Sequence, residues 1–332
     1  MNAVIVRSYD APPQFGSFAE PVAELGEQRV KVKAAALYHL VRGIAKGTHY
    51  GSTGELPVIA GVDGVGLLDD GQRVYFASAR SPYGTMAEYS LAKSPLCLPL
   101  PDALSDAVTA GLANPGMSSW VALTARAQLV AGENVMVLGA TGCAGQLAVQ
   151  IAKRLGARHV VAVGRNREAL AQLKALGADA VIPLEGNNLA GKAAETEASR
   201  RTMVETYRAH LDDYGINVVL DYLWGSPAQC LLESIAQKGL HTSAPRLRYV
   251  QIGGIAGPTL ALAASILRSS GLELLGSGFG SASNEQMAQA IKELFASAAK
   301  QNFTFAIETA PLREAASRWN ESAGAKRLVF EV

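Results

Sequence analysis

The stretch from Asn134 to Gly156 constrains the fold more than any other in the chain. It opens with Val135-Met136-Val137-Leu138, an apolar run with no polar alternation. So short and unbroken a run suits a strand buried on both faces of a parallel sheet. Glycines follow at Gly139, Gly142 and Gly145. The period then changes: Leu147, Ala148, Ile151, Ala152 and Leu155 fall on one helical stripe, with Gly156 placed to end it. A strand, a glycine turn and a helix in this order make a cradle for a dinucleotide pyrophosphate. The backbone comes close where there is no Cβ, and a helix N-terminus presents N–H groups and the positive end of a dipole. The cradle residues are Gly139, Ala140, Thr141, Gly142, Cys143 and Ala144.

The spacing is GxxGxxG rather than the usual GxGxxG, and alone it fits a tight turn against a packed helix equally well. The following strand tips the balance. It arrives on schedule at His159 to Val163 and runs into Gly164-Arg165-Asn166-Arg167. A NAD site would place an Asp or Glu there to bind the ribose hydroxyls. Two arginines stand there instead, and guanidinium groups suit a 2′-phosphate, so the expected cofactor is NADPH. The plainer alternative makes these arginines the solvated start of a helix.

The chain has 332 residues, enough for two domains. A net charge of +1 gives no long-range field for nucleic acid or an anionic membrane. Charged residues at 18% and hydrophobic ones at 49% describe a well-buried globular protein rather than a disordered one. Cys97, Cys143 and Cys230 are far apart and odd in number, and they make no disulfide framework and no zinc-spaced cluster. The first ten residues lack the pattern of a secretory signal, and the apolar run Thr259 to Leu267 is too short to span a membrane. A cytoplasmic setting is the default expectation.

Residues 1–114 read as mainly β. Strands are expected at Ala3–Val6, Arg29–Lys33, Gly61–Gly66, Gly71–Phe76 and Thr85–Ser90, separated by Gly and Pro turns. The texture changes at Asn114-Pro115-Gly116, after which Ser118 to Leu129 is helical in pattern. Strands then alternate with helices. They are expected at Ala180–Ile182, Asn217–Asp221, Tyr249–Ile252 and Leu272–Leu275, with a charged, weakly patterned helix across Asn188–Asp213. Six strands with crossover helices make a doubly wound sheet, in which ligands sit at the carboxyl ends of the strands. That places Asp221 to Gly225 with Leu223, then Ile252, Gly253 and Gly254, then Gly278 and Phe279, along the cofactor's path. Any one of these is also readable as a plain turn. Glu285 to Lys300 is a helix with Met287, Ile291, Leu294 and Phe295 as its buried stripe. The tail from Phe303 to Val332 returns to strand and turn, expected to pack on the first domain.

These residues resemble the medium-chain dehydrogenase/reductase superfamily and, within it, the zinc-independent quinone oxidoreductase branch. The matches are Val30–Ala36, Leu56-Pro57, Gly61–Gly66, Gly71–Val74, Gly139–Gly145, Leu176–Asp179, Val218–Asp221 and Tyr249–Gly253. The resemblance implies a Rossmann doubly wound parallel sheet, residues 115–280, inserted in a mainly β GroES-like catalytic domain, residues 1–114 plus 281–332. It also implies an active site in the cleft and a homodimer, for which the strand at Leu272–Leu275 is a suitable edge. Zinc-using members place a Cys where Tyr38 stands, a His-Glu pair where Val62-Asp63 stands, and carry a four-cysteine lobe absent here. His39 and His49 without cysteines do not assemble a zinc site. The family often has a Ser at the position of Arg165 and a Lys four residues on, where this chain has Ala169. The segment Asn187–Tyr214 is longer and more charged than the family's.

The implied chemistry is hydride transfer from NADPH to a small-molecule electron acceptor, a quinone or the β-carbon of an α,β-unsaturated carbonyl. Tyr50 resembles the tyrosine that enoyl-reducing relatives use as proton donor, with one extra residue in the alignment. Tyr38 would orient the carbonyl, and Ser118 resembles the hydroxyl residue that holds the nicotinamide end. For each tyrosine, a packing role fits equally well. Two alternatives stay open. One is an enoyl thioester reductase. The other is a non-catalytic NADPH-binding protein with an RNA-binding or structural role, against which the near-neutral charge speaks. The loops Ala79–Gly84 and Ser277–Ser283, which would set acceptor specificity, are not legible from spacing.

Overall fold

The computed structural model describes residues 1–52, 54–77, 80–184, 197–236, 244–321 and 325–332. Among them the chain first lays down β1 (Asn2–Val6), β2 (Gln14–Ser17), β3 (Glu27–Leu37), helix α1 (His39–Ala45), β4 (Val58–Ile59), β5 (Asp63–Leu68), β6 (Arg73–Ala77), β7 (Tyr89–Lys93) and β8 (Leu98–Pro99). Helix α2 (Asp106–Val121) leads to an alternation of β9 (Val135–Leu138), α3 (Cys143–Arg154), β10 (Val160–Gly164), α4 (Arg167–Leu173), β11 (Ala180–Pro183) and α5 (Glu197–Tyr214). It continues through β12 (Val218–Asp221), α6 (Gly225–Ser234), β13 (Arg246–Gln251), α7 (Ala264–Ser269) and β14 (Gly271–Gly276). Then α8 (Asn284–Lys300), β15 (Ala306–Pro311) and β16 (Lys326–Glu331) close the order. The chain divides into two compact units, Met1–Pro115 with Ile291–Val332, and Gly116–Ala290. No helix of the described residues is long and apolar enough to cross a membrane.

The first unit is mainly β, as the fold class expected. Its larger sheet runs β15-β16-β3-β5-β6-β8, with β7 also paired to β3, and a smaller sheet runs β2-β1-β4. Strand β3 shows why one segment serves three partners. In its first half Val30 and Val32 are buried while Lys31 is exposed, the period of a strand with one wet face. From Ala34 to Leu37 every residue is buried. A register shift between Val32 and Ala34 marks the change. The buried half pairs with β16, so the C-terminal tail completes the first unit's sheet. Val4, Val6, Val65, Met86, Trp319 and Phe330 fill the core around it.

Two strand expectations shift here. The Gly61–Gly66 strand is observed as Asp63–Leu68, because Gly61 has φ +102 and a Cβ there would lie 2.4 Å from Thr85 Oγ1. The Thr85–Ser90 strand is observed as Tyr89–Lys93. Thr85 to Ala87 is buried, but Met86 N–H donates to Ala60 and Met86 C=O accepts from Val4, both at 2.9 Å. Those backbone groups bridge two segments instead of extending a ladder.

Helix α2 begins at Asp106, well before the expected Ser118, and continues through Pro115. Packing overrides the local signal there: a Cβ on Gly111 would lie 3.4 Å from Ile307 and Phe305, so the helix seats closely against the first unit's own strands. It ends in one wide turn, Ala122–Arg126, with Ala127 N–H donating to Ala122 C=O at 2.8 Å.

The second unit is a six-stranded parallel sheet in the order β11-β10-β9-β12-β13-β14. Every residue of β9, β10 and β12 is buried, which explains why their sequences are continuous apolar runs. The chain moves outward from β9 to β11, returns to β12 beside β9, and then moves outward the other way. The reversal lies between β9 and β12, where such sheets open a ligand crevice. Helix α5 carries Tyr207 into the core with Met203, Val204 and Leu211 beside it, on the face expected from sequence. Residues 188–196 of that expected helix, like Ala79 of the Ala79–Gly84 loop, lie outside the described residues.

Candidate functional site

The turn after β9 is shaped by its glycines. Gly139 has φ +86, and its N–H and that of Ala140 donate to Val163 C=O at 3.0 and 2.9 Å. Gly142 precedes α3 with extended backbone and no capping side chain, so no side chain competes for the helix's first N–H groups. A Cβ on Gly145 would lie 2.3 Å from Gly139 C=O and 2.5 Å from Ala140 Cα. Only glycine lets α3 approach the turn this closely. Gly164 does the same at the end of β10, where a Cβ would lie 2.6 Å from Thr141 Cγ2. The cradle thus fits a dinucleotide on this structure's own geometry.

Arg165 follows β10 and is exposed, and Arg167 opens α4 and is exposed too. Between them Asn166 caps α4, its Oδ1 accepting from Ala169 N–H at 3.0 Å. The cap fixes where both arginines leave the backbone, next to the glycine turn.

The far side of the crevice is the turn after β12. Asp221 is fully buried. Its Oδ1 accepts from Leu223 N–H at 2.7 Å and Trp224 N–H at 3.0 Å, and its Oδ2 accepts from Tyr249 hydroxyl at 2.8 Å. Burial outweighs these donors and pushes the carboxyl from 3.8 up to about 6. Ile252 and Gly253 N–H groups donate to Asp221 C=O at 2.8 and 3.1 Å, which brings the end of β13 to the same turn. A Cβ on Gly253 would lie 2.7 Å from Tyr222 C=O. Gly254 follows, exposed. Ser118, on α2, reaches this turn through Tyr222, whose hydroxyl lies 3.5 Å from Ser118 Oγ and 2.7 Å from Ser119 Oγ. Past β14, Gly278 and Phe279 are exposed, and Gly278 N–H donates to Ser281 Oγ at 2.7 Å. The sequence-derived cofactor residues of this unit therefore stand at strand carboxyl ends or bonded to them.

Tyr38 and Tyr50 stand in the first unit on either side of α1. Tyr38 is buried, and its hydroxyl donates to Asp63 Oδ1 at 2.5 Å, while Tyr75 hydroxyl donates to Oδ2 at 2.8 Å. Burial, then the neighbouring carboxylate, hold the Tyr38 phenol far above the ordinary tyrosine range. Burial also raises the Asp63 carboxyl, against the two phenol hydrogen bonds and Arg327. The Arg327 guanidinium lies over the Tyr38 ring, 5.3 Å from its centroid. Tyr38's proton is given to Asp63, leaving Oη as an acceptor. Tyr50 is 72% exposed, its ring packed at 4.1 Å on His49. The positions where the resemblance puts a Cys and a His-Glu pair are thus a tyrosine, a valine and a carboxylate already engaged with two phenols. Among the described residues no three His, Cys, Asp or Glu side chains converge as a metal site. These residues do not fit a catalytic zinc.

Sequence reasoning missed Ser119, Tyr249, Tyr75 and Arg327, and placed Tyr222 on the cofactor's path only as part of Asp221 to Gly225. The available signal was polar residues abutting or interrupting apolar strands: Tyr222 directly after β12, Arg248-Tyr249 inside β13, Arg327 inside β16.

The family model described as zinc-binding dehydrogenase matches residues 143–296. A protein of Emericella nidulans named "Probable NADPH-dependent quinone reductase tdiC" is 28% identical over 99% of this chain and 99% of its own length. A trans-enoyl reductase of Aspergillus terreus is 27% identical over 57% of this chain and 46% of its own length. The native structure of a mycobacterial quinone oxidoreductase superposes with a TM-score of 0.81 at 20% identity, covering 100% of both chains, and shares the fold. By the cradle, the strand order and these likenesses together, the chain is an oxidoreductase similar to the quinone reductases of the medium-chain dehydrogenase/reductase superfamily.

Proposed function

We propose that the chain is a zinc-independent, NADPH-dependent oxidoreductase that reduces a quinone or an α,β-unsaturated carbonyl. The observation that carries this reading is the glycine cradle at the end of β9 with Arg165, rather than a carboxylate, exposed at the end of β10. Similarity to a full-length relative named as an NADPH-dependent quinone reductase supports it. When bound, NADPH supplies the hydride.

The chain's residues have separate tasks. Gly139, Ala140, Thr141, Gly142, Cys143 and Ala144 shape the turn around the pyrophosphate, which the first N–H groups of α3 and its dipole hold; the Gly139 and Ala140 N–H groups are engaged by Val163 C=O. Arg165 and Arg167 pair with the 2′-phosphate. Ser118, Leu223, Ile252, Gly253, Gly254, Gly278 and Phe279 line the rest of the cofactor's path. A hydride-reduced acceptor is an enolate or a hydroquinone anion and must take up a proton. Tyr50 Oη supplies it to an enolate, while a hydroquinone anion takes it from water. Tyr38 has its one hydroxyl hydrogen engaged by Asp63 and is buried, so of its two expected roles it keeps the packing one rather than donating to the carbonyl. A homodimer formed along the β14 edge belongs to the same reading. An enoyl thioester reductase is the second reading, favoured by the likeness to a trans-enoyl reductase.

Replacing Arg165 by Ala tests the carrying observation. NADPH binding should weaken by roughly 1.5–3 kcal/mol, the scale of a charge-assisted hydrogen bond, with NADH binding barely changed. Fluorescence titration reads both affinities, and equal losses for the two cofactors would remove the 2′-phosphate role.

A further inference from the structure

The turn between β12 and α6 is held in an unusual conformation. Trp224 has φ +55 and ψ −159, a region nearly confined to glycine. Gly225 follows at φ +59, and a Cβ there would lie 2.7 Å from Ala256 C=O. Such a conformation persists only when its surroundings over-determine it, and it concentrates at working sites. The surroundings do so here. Asp221 accepts both N–H groups of the turn, and Leu223 C=O accepts from Ala256 N–H at 2.8 Å.

This strained turn touches three other segments of the crevice. A Cβ on Gly139 would lie 3.1 Å from Leu223 Cδ2 and 3.2 Å from Tyr222 Cβ, so the turn faces the pyrophosphate cradle directly. Its carbonyl at Tyr222 lies against Gly253 at the end of β13. The third connection is a side-chain one: Tyr222 hydroxyl to Ser119 Oγ at 2.7 Å and to Ser118 Oγ at 3.5 Å. In a doubly wound sheet the strands β9, β10 and β11 serve one nucleotide half and β12, β13 and β14 the other. With Arg165 marking the adenosine half, the β12 turn belongs to the nicotinamide half.

We propose that Tyr222 is a positioning residue for the nicotinamide half of the dinucleotide, its hydroxyl tying the Ser118–Ser119 step of α2 to the strained turn after β12. The inference rests on the NADPH reading above. Tyr222 Cβ packs beside Gly139, as that of any residue here would. The hydroxyl adds something packing alone does not, a fixed distance between α2 and the turn, and through it the placement of Ser118.

The variants Tyr222→Phe and Ser119→Ala, alone and together, test it in the full chain. Two probes are titrated: NADPH, and adenosine 2′,5′-bisphosphate, which lacks the nicotinamide half. Tyr222→Phe should weaken NADPH about tenfold, the scale of one hydrogen bond, and leave the bisphosphate within about twofold. Ser119→Ala should give the same selective loss, and the double variant should be no worse than either single one. Equal loss of both probes, an unchanged NADPH affinity, or additive losses would each overturn the proposal. Wild-type protein that binds neither probe would instead overturn the cofactor reading beneath it.

Discussion

Asp63 and Asp221 are the buried carboxylates among the described residues, one in each unit, and each is met by tyrosine hydroxyls. Their consequences differ. Asp221 closes a turn in the cofactor crevice, and its carboxyl rises from 3.8 to about 6 on folding. Between those values the folded chain holds a proton that the unfolded chain has released. Stability therefore falls as pH rises from about 4 to about 6, by about 3 kcal/mol in total from this group. Asp221→Asn should remove that contribution, visible as a smaller loss of urea midpoint between pH 4.5 and pH 7 than in the parent; parallel pH profiles would refute it. Tyr50 carries the other residue-scale prediction. Tyr50→Phe should lower enone turnover by roughly tenfold to a hundredfold and leave quinone turnover nearly unchanged. Unchanged enone rates would exclude it as the donor. At this scale the glycines and Arg165 could be read from sequence because their work is done by the backbone or by charge at a fixed place after a strand. The bond between Tyr222 and Ser119 could not, because the two meet from positions 103 residues apart.

Elements were legible where one force dominates. The buried strands β9, β10 and β12 and the stripe on α8 follow from burial alone. Helix α2 was obscured because Pro115 and its glycine neighbours read as a break, while Gly111 secures the close packing that carries the helix through. The Thr85–Ala87 segment was obscured because a bridging chain has the composition of a strand. The tightest element contact gives a direct prediction. Gly145→Ala places a methyl against three backbone atoms, none of which can rotate away. It should cost about 1–3 kcal/mol of stability and abolish most dinucleotide affinity. A variant with parent-like melting and NADPH affinity would show that α3 can withdraw from the turn.

Across the whole molecule, six parallel strands and their switch point could be anticipated because crossover connections permit few topologies. How a long β3 serves β5, β7 and β16 at once could not, since pairing partners leave no local mark. The sheet's open edge at β14 presents Leu274, 40% exposed, on an outermost strand. A homodimer through that edge predicts that Leu274→Asp yields monomers in light scattering, whereas a monomeric parent would remove the edge from the account. The central claim is NADPH-dependent hydride transfer, and initial rates test it most directly. NADPH consumption would be followed by absorbance with 1,4-benzoquinone, 9,10-phenanthrenequinone and a short enone, then repeated with NADH. The account predicts turnover with NADPH well above that with NADH on at least one acceptor. Tight NADPH binding without turnover on any of them would contradict it and leave a nucleotide-binding protein with another role.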